Sequence, residues 1–199
     1  MVFEQGGPRR RFFLENVRKK LPDNQKQSNM EETQKPPKVR FAHFLEKFPE
    51  VELPVTLAEE AHHAFSLQNN PLPALMIEQF ILPLEEQEVD DFTEFVPCMR
   101  IPETHEFHAI IYWRAGLMNY QYTLACFTKK GELIDKRVIG GTFSDGDTLT
   151  TSVATIDEDW VIYIVSGQAR SGQKDYDASS STAYKLELLS EGRIVNFTE

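Results

Sequence analysis

The rhythm of apolar and polar positions changes along this chain. From about residue 92 onward, apolar residues alternate with polar ones or form short continuous runs, the mark of β-strands. The pattern predicts strands over 92–101, 107–114, 120–128, 132–141, 148–156, 160–167, 182–189 and 193–197. Lys129-Lys130-Gly131, Ser144-Asp145-Gly146-Asp147, Asp157-Glu158-Asp159 and Ser190-Glu191-Gly192 separate them. These are hairpin signals, because Gly, Asp and Asn tolerate the positive φ of tight turns. No helix-length pattern lies between the strands, so parallel crossover units are excluded and a sequential antiparallel meander is expected.

Parity within the strands indicates depth. Phe107, Ala109, Ile111 and Trp113 fall on one face of their strand and His108, Ile110, Tyr112 and Arg114 on the other. Both faces are largely apolar, which predicts a central strand covered on two sides. The cover comes either from the sheet curling on itself or from helices packed across it, and helices are expected over part of it.

Helical spacing precedes the strands, over 39–91. Phe41, Phe44, Leu45 and Phe48 fall at i, i+3, i+4 and i+7, and Pro49 follows where a helix stops. Thr56 and Glu59 have the spacing of a capping box ahead of a helix over 58–65. A third helix is predicted over 72–82, with Leu72, Leu75, Met76 and Phe80 inward, and residues 85–91 form an acidic connector. The first 38 residues read as a flexible basic tail or linker. The stretch 22–37 has too few apolar residues to repay the entropy of ordering, and before it lies a short basic amphipathic segment, 8–21. Met30 is an alternative first residue of the natural chain. The organisation expected is thus a tail, 1–38, and one α+β domain, 39–199. Within that domain, helices over 39–91 pack with a six- to eight-stranded meander over 92–197, closed as a barrel, stacked as a sandwich or arranged like propeller blades.

Charge sharpens this division. The chain carries a formal −10, but the first 38 residues hold nine basic and five acidic residues, whereas 39–199 hold 12 basic and 26 acidic. So acidic a body repels phosphate backbones, which argues against nucleic acid as a partner. No run approaches the roughly 18 apolar residues of a membrane span, and Met1 to Leu21 lack a signal-peptide core, so the cytoplasm is the expected compartment. The two cysteines, Cys98 and Cys126, sit in apolar strand-like runs and read as buried thiols, not as a disulfide framework.

Candidate chemistry is sparse. His105 and His108 have a metal-ligand spacing, but on a strand, residues three apart point to opposite faces. A site would need His43, His62 or His63 as well, and no metal or other cofactor is expected. The segment Gly167-Gln168-Ala169-Arg170-Ser171-Gly172-Gln173-Lys174 has the outline of a phosphate-binding loop. Its lysine arrives one residue late, Asp175 stands where a hydroxyl should assist magnesium, and no apolar helix follows. A long hairpin loop carrying Arg170 and Lys174 as binding residues fits better. Asp145/Asp147 and Asp157/Asp159 lack the rest of a calcium loop and suit turns. Ser179 to Ser181 lie in no nucleophile elbow, and strand-buried cysteines are ordinarily inert.

One constellation remains. His108, Tyr112 and Arg114 share parity on one strand and Tyr120 and Tyr122 on the next, so an aromatic and basic face for a ligand or partner follows if all project from the same side. The function expected is a non-enzymatic binding or interaction module, with an unidentified protein or small molecule as partner and a homodimer as one assembly it allows. The alternative is a small-ligand-binding protein or a hydrolase-type enzyme using a pocket on the sheet face.

Overall fold

The computed structural model describes residues 38–198 except Glu88, Met118 and 171–176, with backbone alone at 170 and 177–180. The amphipathic segment 8–21 and Lys174 lie outside the described residues. The elements are α1 (Phe41–Leu45), β1 (Val55–Leu57), α2 (Ala61–Gln68) and α3 (Ala74–Met76), the last running on as a π-helical turn (Ile77–Ile81) and a 3-10 turn (Leu82–Leu84). Then come β2 (Glu94–Arg100), β3 (Phe107–Ala115), β4 (Asn119–Thr128), β5 (Leu133–Ser144), β6 (Thr148–Ile156), β7 (Val161–Arg170), β8 (Asp177–Leu188) and β9 (Ile194–Asn196). The fold is α+β, and its sheet is an antiparallel meander in the order β2-β3-β4-β5-β6-β7-β8-β9, with β1 paired to β6.

The turns are built as their residues dictate. Asp145 Oδ1 accepts the backbone N–H groups of Asp147 and Thr148, and Asp157 Oδ1 accepts those of Asp159 and Val161. These aspartates spend their oxygens on their own loops, the local bonding that makes Asp a turn residue.

The central strand β3 is covered in both of the ways expected. Phe107, Ala109, Ile111 and Trp113 join Leu124, Cys126, Ala154, Ile156, Ile162, Ile164, Leu186 and Leu188 in one buried cluster, so the sheet rolls until its two halves share a core. On the other face, Ile110 and Tyr112 pack with Ala125, Phe127, Phe44, Phe48, Met76, Ile81 and Leu84, so helical segments roof that side. Each fully buried aliphatic or aromatic side chain stabilises the fold by about 1.5–3 kcal/mol.

The roll is made at β5. This strand follows β4 along its length but pairs with β6 only through residues 141–144. Tyr122 pairs with Gly140 and Thr123 with Val138, so Ile139 is the extra residue of a bulge, which sharpens bending and twist. Beyond the split, β1 takes the place beside β6, with Val55 opposite Ile156 and Leu57 opposite Ala154. Thr56 is therefore a strand residue whose hydroxyl meets that of Thr155 at 3.0 Å. The expected capping box does not form: Glu60 occupies the N-cap of α2, with no side-chain cap bond. Tertiary pairing of a three-residue strand has overridden a local helix-start signal.

Candidate functional site

Several recesses of the described surface adjoin one another at the start of β4. Four recesses meet there. One of about 250 Å³ is lined by Gln87, Asn119, Tyr120, Gln121, Phe143 and Tyr184 among others. A second, about 260 Å³, lies between Glu59, Glu60 and His62 of the α2 end and Trp113, Tyr120 and Tyr122. The third is lined by Glu85, Gln87, Tyr112, Gln121 and Lys136, and the last by Gln87, Arg114, Asn119 and Phe143. Tyr120, Gly141 and Thr142 border the first two recesses at once. Gly141, at φ +126°, allows this: a Cβ there would stand 2.0 Å from the Tyr120 carbonyl oxygen, so only glycine lets β5 approach β4 so closely.

The sheet separates the five sequence-predicted residues of β3 and β4. Register pairs Trp113 with Tyr122, Arg114 with Gln121 and Ala115 with Tyr120. Tyr120 and Tyr122 therefore share the face of Trp113, and Tyr112 and Arg114 project from the opposite face. Antiparallel register, which the sequence does not print, decides this.

Behind the sheet, Tyr112 and Arg114 converge on Glu85. The Tyr112 hydroxyl donates to Glu85 Oε1 at 2.7 Å, and Arg114 Nε lies 3.0 Å from Glu85 Oε2. The Arg114 and Glu85 side chains are only 4% and 6% exposed. Burial first, then the Glu85 charge and its hydrogen bond, push the Tyr112 phenol above its ordinary range. Arg114 also reaches Gln87 Oε1 at 3.4 Å, which in turn accepts from Asn119 Nδ2 at 2.8 Å. Lys136 holds the Leu84 carbonyl and the Glu86 carboxylate, the latter at 2.9 Å. These bonds fasten the acidic connector to the sheet.

In front, rings stack in a row. His62 lies over Trp113 with centroids 4.1 Å apart and planes 3° from parallel, and Trp113 stacks on Tyr120 at 5.8 Å and 14°. Trp113 is 8% exposed, Tyr120 44%. Helix α2 is fixed at both ends for this. The Tyr122 hydroxyl donates to Ala58 O at 3.0 Å, and at the far end Asn69 Nδ2 donates to the carbonyls of Pro97 and Cys98, each at 2.7 Å, where β2 is bulged. Burial raises the Tyr122 phenol as well. His62, Trp113, Glu59, Phe143 and Tyr184 escape sequence reasoning. Trp113 carries the parity of core residues, and the others come from elements distant in the chain.

His108 stands apart. Four residues from Tyr112 along β3 is about 13 Å of strand. Its ring packs against Phe41 at 6.0 Å, and burial, then the charges of Lys129 and Arg100, lower its pKa. Arg170, expected in a long hairpin loop, is instead the last residue of β7 and is described by its backbone only: the pairing of β7 with β8 runs on to Gln168 opposite Asp177, so strand takes up much of the expected loop. Both cysteines are free and buried. Burial pushes the Cys126 thiol up to about 12 and raises Cys98 as well, the opposite of an activated nucleophile. Among the described residues no group of three or more His, Cys, Asp or Glu side chains is placed to hold a metal ion, and no helix is long and apolar enough to cross a membrane. No family model, curated protein or solved structure matches this chain.

Proposed function

We propose that this chain is a binding module that holds a protein partner at the sheet end built around Tyr120. The observation that carries this reading is a run of four recesses along the start of β4, three of them sharing Gln87 and two of them sharing Tyr120. Around them stand aromatic rings left half open to solvent, Tyr120 at 44%, Phe143 at 49% and Tyr184 at 47%. Aromatic anchors beside amide and hydroxyl groups are the composition of an interface centre. An acidic body adds a field that steers basic partners toward it. An enzymatic reading has less support: the thiols are buried and held protonated, and His108 lies away from Tyr112 and Arg114.

Capture from lysate tests the reading. The full chain, the double variant Phe143→Ala/Tyr184→Ala and a control at exposed Leu133, Leu133→Ala, serve as baits, compared by quantitative mass spectrometry. The expected result is a partner retained by the parent and by Leu133→Ala and lost by the double variant. Partners retained equally by all three would refute the site.

A further inference from the structure

We propose that the recess between α2 and Tyr120 receives an arginine side chain of the partner. The inference rests on the reading above and names the group recognised. His62, Trp113 and Tyr120 form a near-parallel row, 3° and 14° between successive planes. A row of parallel rings is not a cage. An alkylated ammonium group gains from several ring faces turned toward one centre, whereas a planar guanidinium stacks flat on a single ring. Tyr120, the most open ring of the row, offers such a surface.

The polar groups of the recess point the same way. The Tyr122 hydroxyl is spent on Ala58 O, and His62 Nδ1 is engaged with Glu59 O. The exposed Glu60 carboxylate lies 3.3 Å from His63 Nε2. Among the described residues no basic side chain pairs with the Glu59 carboxylate at the rim. A guanidinium lying on Tyr120 would present its fork of N–H donors to that carboxylate, a charge-assisted bond that a neutral group cannot reproduce. At about 260 Å³ the recess is smaller than sites for drug-sized ligands, and its size suits one side chain.

The test is a titration of the full chain, followed by NMR, with N-acetyl-arginine-N-methylamide. The identically capped citrulline, lysine and trimethyllysine serve as comparisons. Saturable shifts are expected at the Trp113 indole and the Gly141 and Thr142 amides, with affinity on the order of millimolar for so small a probe. Arginine should bind about tenfold tighter than neutral citrulline, since a charged hydrogen bond is at stake. Glu59→Gln and Tyr120→Ala should each weaken binding about fivefold or more, while Tyr120→Phe retains it. Unchanged amide shifts at Ile162 and Ile194 in the core report that each variant is folded. Equal binding of citrulline, tighter binding of trimethyllysine, or shifts confined to other parts of the sheet would overturn the inference. If it falls while the Phe143→Ala/Tyr184→Ala variant still loses its partner, the module reading stands without the arginine. If that variant keeps its partner and arginine still binds, the recess is a cation site unrelated to the proposed interface.

Discussion

At the residue scale, two positions within the candidate site have sharp consequences. Gly141→Ala would drive a methyl group into the Tyr120 backbone at a φ that side chains rarely adopt. The substitution belongs to the exceptional class that costs more than about 4 kcal/mol, because backbone on both strands must shift. A urea-denaturation series checks it, and Gly146→Ala, also at positive φ but with no neighbour within 4 Å, is the comparison that isolates the clash from the conformational cost. The second position is Arg114. Removing it leaves the nearly buried Glu85 carboxylate without its cation, so Arg114→Met is expected to lose about 3–5 kcal/mol. Replacing both partners, Arg114→Met with Glu85→Leu, should cost much less than the sum of the single changes. A double-mutant cycle measures the difference, and strict additivity would show that the pair does not act as one unit.

At the element scale, the short helix α1 works through its rings. Phe44 is fully buried and meets Phe48 at 5.0 Å, Phe80 at 4.7 Å and Phe127 at 6.5 Å, joining α1, the π-helical turn and β4. A helix of five residues has almost no stability of its own, so packing must hold it. Phe44→Ala is expected to cost about 3–5 kcal/mol, the transfer term plus a cavity under the helical roof. Thermal melts should show that loss, and hydrogen exchange should show the roof opening before the sheet. The front recess should survive, since α2 is anchored separately through Asn69 and the carbonyls of β2.

At the scale of the whole molecule, four groups make stability sensitive to alkali. Burial raises the pKa of Cys98, Cys126, Tyr112 and Tyr122. A folded-state pKa above the unfolded value means that the unfolded chain releases its proton first as pH rises. The stabilisation is therefore complete below the ordinary thiol range, about pH 8.5. It declines from there as pH climbs, through about 12 for Cys126. Urea midpoints measured between pH 8 and pH 11 should fall steadily, and a flat profile would contradict the burial of these groups. His108 acts on the acid side with the opposite slope. Its lowered pKa means the unfolded chain takes up a proton first, so its contribution is lost as pH falls below about 6.5. The half-buried ring makes that limb shallow.

What the sequence determined by itself is the part of this fold written in local spacing. Alternation and turn residues placed eight strands, their ends within three residues except the start of β8, which lies five residues earlier in a polar stretch read as loop, because the pleat forces a period of two and the turns require Gly and Asp. Parity also separated the two faces of β3, since that too is a property of one strand. The helix over 72–82 was legible as helical, but not its passage into a π-helical turn. Tertiary structure decided the rest. The strand β1 exists because the divergence of β5 from β6 leaves an edge to fill, and a helix-capping signal at Thr56 yields to that pairing. Register sent Tyr120 and Tyr122 to the face opposite Tyr112 and Arg114. The stacked row of His62, Trp113 and Tyr120, and the carboxylate of Glu59 beside it, unite residues some sixty positions apart. No local pattern encodes such a meeting, because contacts across a rolled sheet depend on where the chain bends, and here the bend lies at β5, with its bulges against β4 and its close glycine approach.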